Sequence, residues 1–342
     1  MKKTRAWLII IAVVALAVLL FASRHQLADA WQLTKQVNIM MLIFLVLVSR
    51  ASSFFWLSKF YQKSFLAVGY DVEQKELAKD SIATNFVNTI FPSAGISGTS
   101  WLSVRLKDQY SVPYGVTALI QLLRYMFNLL AFLVLLIISF VVLMFVDDLS
   151  LIAVSLTIIL MMFTTSTILN LLFIMRGTSF VNRSIRTIAN YLNLIVKIIT
   201  FSRKQKIIDS QKINDKLESF NYQYKKLEQK SKEFKATFKY MLLFTISEFL
   251  SIYVVFVALN QLVNPAKVFV VFGLSNAIAS LFAFIPAGLG VFETVMSSTF
   301  AMFGLSRALS LSVTLIYRLM FITTLAIPGL YYYRRIGKKN NG

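Results

Sequence analysis

The sequence predicts an all-α polytopic membrane protein, with about seven transmembrane helices plus two re-entrant helical hairpins arranged as an inverted repeat. Three observations carry that expectation. The 342 residues are 57% apolar and only 15% charged, at a mean hydropathy of +0.70, far above a soluble domain. The apolar runs are long and lack the residue-by-residue alternation of a membrane barrel, so the spans are helical. Two of those runs are interrupted by proline and glycine where a helix would otherwise continue.

Composition also excludes whole classes of chemistry. There are 35 Lys and Arg against 15 Asp and Glu, a net charge of +20. In a membrane chain this excess reads as anchoring to anionic lipid head groups on the cytoplasmic side, not as nucleic-acid binding. Cysteine is absent, which removes disulfides, thiolate metal sites and thiol nucleophiles. His25 is the only histidine and sits just past the first apolar run, where it reads as a solvated loop residue. No metal and no cofactor are expected, and no catalytic residues are assigned.

The elements follow in order. MKKTR precedes the apolar run Ala6 to Ala22, which lacks a small-residue cleavage site before Arg24 and reads as an uncleaved first span. A second span is expected from Ile39 to Ser58, followed by a mixed-charge segment to Asp80. The break FPSAGISG holds Pro92, Gly95 and Gly98. A long span from Val116 to Val146 ends at the turn Asp147-Asp148, and Leu149 to Met175 forms the next. A polar stretch leads to Tyr240–Leu259 and then to Val268–Ile285. The second break, IPAGLGVFE, holds Pro286, Gly288, Gly290 and Glu293, and Ala308 to Tyr333 precedes the basic tail RRIGKKNNG.

Charge sets the orientation, because Lys and Arg in short flanks resist translocation. Residues 176–239 carry 15 Lys and Arg against 5 acids, so this segment and both basic termini belong in the cytoplasm. That topology holds only if residues 80–107 enter and leave on the inside, and residues 268–307 on the outside. Each carries a Pro-Gly break, and each reads as a re-entrant hairpin, tolerated where protein or a wet cavity satisfies the freed backbone. Three regions result: a membrane half over 1–175 with hairpin 80–107, basic amphipathic helices over 176–239, and a second membrane half over 240–342 with hairpin 268–307.

The halves share a spacing. From Pro92 to Arg124 and from Pro286 to Arg318 the interval is 32 residues in both. Entry from opposite sides makes this an inverted duplication, a plan whose substrate sites lie between the repeats. In the polar segment, apolar residues step by three and four from Ile185 to Ile199 and from Ile213 to Phe234. This pattern reads as two amphipathic helices forming a basic interfacial linker.

Arg50, Arg124, Glu248, Glu293 and Arg318 fall inside apolar segments or at the breaks. An arginine at mid-bilayer costs at least ~2.5 kcal/mol, so such residues normally face the protein interior and mark a pathway. Structural Arg-Glu clamps and snorkelling are the alternatives. Guanidiniums with carboxylates suit a ligand bearing both phosphate and amine. These five are the candidate substrate-binding residues. Arg105 and Lys107, at the cytoplasmic return of the first hairpin, read as solvated or lipid-facing. Asn85, Asn88 and Asn276 read as hydrogen-bond partners of the broken backbone.

The runs NFVNTIFPSAGISG with Gly115 and Arg124, and IPAGLGVFE with Gly304, Ala308 and YRL at Tyr317–Leu319, resemble the transmembrane domain of the lysylphosphatidylglycerol synthase and flippase family, the multiple peptide resistance factors. The resemblance extends from the second span to the last, and the first motif departs from it in separating Gly95 and Gly98 by Ile96 and Ser97. It implies a bacterial, multi-pass cell-membrane flippase that moves aminoacylated phosphatidylglycerol between leaflets, a function tied to antibiotic resistance. Relatives carry a C-terminal synthase domain, which is not expected in this chain because nine residues follow Tyr333. A phosphatidylglycerol lysyltransferase label would therefore rest on family naming, and the reading leans away from an enzyme. The partners implied are the phospholipid substrate, anionic lipids at the basic segment, and a separate synthase or glycosyltransferase. Two other classes stay open: a membrane component of a lipid-modifying enzyme, and an accessory or translocase for glycolipid or polyprenyl-phosphate-linked substrates.

Overall fold

The computed structural model describes residues 38–91, 95–146, 151–176, 231–282, 288 and 290–339. The expected first span and most of the basic amphipathic segment lie outside the described residues, as do Pro92 and Pro286. Among the described residues there are helices and no strand, as an all-α membrane chain requires. The helices are α1 (Ile39–Ala67), α2 (Gln74–Ile90), α3 (Ile96–Tyr110), α4 (Tyr114–Val146), α5 (Leu151–Arg176), α6 (Ser231–Ala258), α7 (Pro265–Leu281), α8 (Val291–Met302) and α9 (Arg307–Lys339).

Five of these, α1, α4, α5, α6 and α9, are long and apolar enough to cross a membrane. Their surface polarity is inverted relative to a soluble protein. Phe44, Ile138, Phe145, Ile159 and Met162 are exposed, while Ser53, Thr117, Ser275 and Thr314 are completely buried. Hydrocarbon exerts no hydrophobic drive on helix pairing, so small and polar residues share the interior with packed apolar side chains. The seam between α1 and α6 shows this directly. Ser49, Ser53, Ser247 and Ser251 are buried, and the hydroxyls of Ser52 and Ser247 lie 2.9 Å apart across it.

The helix lengths repeat. A long helix, α1 of 29 residues, is followed by half-length α2 and α3, of 17 and 15, and by α4 of 33. In the second set α6 has 28 residues, α7 and α8 have 17 and 12, and α9 has 33. At ~1.5 Å per residue, none of the four short helices reaches across ~30 Å of hydrocarbon. Packing respects the repeat as well: α1 lies against α6, α2 against α9, and α7 against α4. Two of these three contacts close on a glycine. A Cβ on Gly329 of α9 would stand 2.5 Å from Phe86 Cβ of α2, and one on Gly273 of α7 would stand 2.1 Å from Phe132 Cζ of α4.

Local chemistry sets the boundaries. Asn264 caps α7 by accepting from the Ala266 amide at 2.9 Å, with Pro265 in the first turn, where its missing N–H costs nothing. The breaks end on glycines at positive φ, 86° at Gly95 and 84° at Gly290, a backbone that L side chains resist. One boundary departs from expectation: α1 runs on to Ala67 instead of ending at Ser58. Phe60, Tyr61 and Phe65 are buried there, so packing carries the helix through the charged segment.

Candidate functional site

Four of the five candidate charges form two ion pairs. Arg50 of α1 donates through Nη1 to Glu248 Oε1 of α6 at 2.5 Å. Arg318 of α9 donates through Nε to Glu293 Oε1 of α8 at 2.5 Å. Glu293 is also a cap, because its Oε2 accepts the Gly290 amide at 2.7 Å in the first turn of α8. The carboxylate therefore ties the second break to the last long helix. One aromatic ring joins the pairs: Phe321 lies 4.8 Å from the Arg50 guanidinium and 6.0 Å from that of Arg318.

Arg124 of α4 stands apart. It is only 9% exposed, its Nε has no hydrogen-bond partner, and no carboxylate pairs with it among the described residues. Its guanidinium lies 4.3 Å from the Tyr125 ring. A buried, uncompensated guanidinium is costly unless something else meets it. Space is present for that partner, since Arg124 lines a cavity of about 400 Å³ between α4, α5, α6 and α7.

The walls of the cavity are mixed. Asn128, Thr164, Thr167, Thr245, Glu248, Asn276 and Ser280 supply polar atoms, and Phe132, Phe163, Phe244 and Phe272 supply apolar surface. Thr245 Oγ1 donates to Asn128 Oδ1 at 3.2 Å across α6 and α4. Glu248 gives its Oε1 to Arg50 and is half-buried, so the same side chain belongs to a pair and to the cavity wall.

Among the sequence candidates, Arg124 and Glu248 thus line one cavity. Arg50 reaches it through Glu248, whereas Arg318 and Glu293 hold each other elsewhere. Of the break residues, Gly95 abuts Tyr125, whose hydroxyl would lie 2.5 Å from an added Cβ. Gly98 donates its amide to Asn88 Oδ1 at 2.7 Å, while Gly288 packs against Ala279. Asn128, Thr164 and Thr245 were not expected. Asn128 follows Arg124 by one helical turn, a spacing that could have pointed to it. Asn276 donates to the Phe272 carbonyl as a helix-satisfying group, and it also faces the cavity.

Arg105 corrects the sequence reading. It is neither solvated nor lipid-facing but 4% exposed, donating to Asp80 Oδ1 at 3.3 Å with Glu76 Oε2 at 3.7 Å. Folding α3 back on α2 brings the arginine onto acids that the linear sequence separates. Neither helix is one of the five crossing helices. Burial pushes the Asp80 carboxyl up to about 6, against the opposing pull of the Arg105 charge.

A comparison with curated proteins finds no match. The family model described as lysylphosphatidylglycerol synthase TM region matches residues 7–329, nearly the full length of the sequence. This chain, a polytopic membrane protein whose buried Arg124 lines a cavity with no carboxylate paired to it among the described residues, belongs to that family.

Proposed function

We propose that the protein is a lipid translocase, moving a phospholipid with a modified head group, such as an aminoacylated phosphatidylglycerol, between leaflets. The observation that carries this reading is the Arg124 cavity: a buried guanidinium that meets no carboxylate among the described residues, in a space of about 400 Å³ walled by helices of both halves. A phosphate oxygen suits a guanidinium, the hydroxyl and amide groups suit a glycerol or aminoacyl ester, and the phenylalanines suit the adjoining acyl carbons. Family membership supports the same reading. The paired half-helices would act as re-entrant hairpins, with both termini cytoplasmic, and their rocking about the α1–α6 seam would expose the cavity to one leaflet at a time. Partners under this reading are the lipid itself, anionic lipids at the basic segment and a separate head-group synthase.

The test is reconstitution into vesicles holding an acyl-labelled phospholipid, with outer-leaflet label destroyed by a membrane-impermeant reductant. Loss of signal beyond the outer-leaflet fraction, faster than in protein-free vesicles, is the expected result. Equal rates with and without protein would remove the proposal. A new lipid species appearing in the same vesicles would favour a lipid-modifying enzyme in its place.

A further inference from the structure

Half of the buried side-chain atoms that lack a hydrogen-bond partner among the described residues lie on one seam. They are Ser64 Oγ of α1 and Thr117 Oγ1, Gln121 Nε2 and Arg124 Nε of α4, all on residues at least nine-tenths buried. Thr117, Gln121 and Arg124 step by four and three, so they share one face of α4. That face meets α1 where the Tyr61 hydroxyl donates to Gln121 Oε1 at 2.8 Å, and the Arg124 charge acts on the same hydroxyl. α1 runs against α6, because Arg50 meets Glu248 and Trp56 meets Tyr240. α4 runs with α6, because Phe127 meets Phe238 and Asn128 meets Thr245. α1 and α4 are therefore antiparallel, which sets Ser64 and Thr117 at one level, a turn away from Tyr61 and Gln121. Serines and threonines in apolar helices ordinarily donate to the carbonyl a turn back, as Thr157, Thr164, Thr245 and Thr314 do. Ser64 and Thr117 do not.

We infer that the α1–α4 seam holds a file of about three water molecules, running from Ser64 and Thr117 past Gln121 to Arg124. The rise from Thr117 to Arg124 is ~10 Å, which hydrogen bonds of ~2.8 Å span through about three waters. Each water needs several polar partners, and the four unpartnered atoms together with the Tyr61 oxygen supply them. Phe60, Phe65, Leu119 and Ile120 are buried in the surrounding core, so a hydroxyl or amide left dry there would be costly. Arg124 is where the file meets the cavity. Thr117 and Gln121 lie outside the cavity wall, whereas Arg124, Tyr125 and Asn128 line it. The ligand is water, and it solvates the buried guanidinium from the seam side whether or not the cavity is occupied. This holds independently of the translocase reading.

The experiment exposes the full chain in phosphatidylglycerol vesicles to microsecond X-ray pulses, which split bound water into hydroxyl radicals that oxidise the nearest side chains, read by mass spectrometry. Tyr61 and Tyr317 are matched probes, 2% and 4% exposed and each packed against phenylalanines. Tyr61 should be oxidised about tenfold faster than Tyr317, because ordered water lies against it. Thr117→Val keeps the side-chain shape and removes one holder of the file. Tyr61 oxidation should then fall towards the Tyr317 rate, and the unfolding temperature should drop as a water loses its partner. On a dry seam Tyr61 is oxidised no faster than Tyr317, and Thr117→Val raises the unfolding temperature by deleting a polar group that pairs with nothing. Either of those results overturns the inference. Fast oxidation of Tyr61 that Thr117→Val leaves unchanged also overturns it, because the water then arrives by another route. Lipid movement in the vesicle assay is read separately, so failure here leaves the translocase reading standing.

Discussion

Arg318 and Glu293 meet at 2.5 Å within the second repeat, and the glutamate simultaneously accepts the backbone amide of Gly290. One carboxylate thus holds a broken helix, its cap and the following long helix in a fixed arrangement. Both side chains are buried, so the pair acts as a clamp whose removal exposes a charge to an apolar interior.

Replacing Glu293 with Ala should destabilise the protein by ~3–5 kcal/mol, since it removes a buried carboxylate from the Arg318 charge and opens the α8 cap. Glu293→Leu combined with Arg318→Met should be less harmful than Glu293→Ala alone, because both halves of the buried pair are removed together. Thermal unfolding in detergent measures both. A double variant no more stable than the single one would show that the clamp does not act as a pair.

Gly273→Ala should cost ~1–3 kcal/mol by overpacking. Its Cβ would sit 2.1 Å from Phe132 Cζ, closer than any real contact, so either the Phe132 ring swings aside or α7 moves away from α4. The two helices are walls of the cavity, and the same change should alter its shape. Adding Phe132→Leu relieves the clash, and recovery of the unfolding temperature in the double variant is the check.

Asp80 gives a pH signature. Its folded pKa, about 6, lies above the ordinary value of 3.8, so its contribution to stability is fully present below 3.8 and is lost as pH rises through about 6. Asp80→Asn stays neutral throughout. The variant should therefore gain stability relative to wild type between those two pH values and hold a constant difference above pH 7, as unfolding at stepped pH would show. A difference of the opposite sign would mean that the Arg105 charge outweighs burial.

Much of the fold was legible because its signals are local. Hydropathy located the crossing helices, and Pro-Gly clusters located both breaks, although packing of Phe60 and Phe65 extended α1 beyond the charge boundary. Pairing was not legible. Arg50 and Glu248 lie 198 residues apart, and nothing in the flanks of either names its partner. Arg105 was misread because the acids that bury it come from the other arm of the hairpin. The cavity wall contributed by α5 was missed for a different reason. Thr164 donates to the Leu160 carbonyl, as threonines in apolar helices commonly do, so in sequence it looks like a satisfied structural residue.

The central claim, that a lipid phosphate enters the cavity beside Arg124, is open to a direct measurement because the chain has no cysteine. Asn276→Cys places one thiol on the exposed wall of that cavity. In vesicles of phosphatidylglycerol, its labelling by a water-soluble maleimide should be slower than in micelles of a phosphate-free detergent, and Arg124→Gln should abolish the difference. Equal labelling rates in the two environments, or protection that survives Arg124→Gln, would contradict the account.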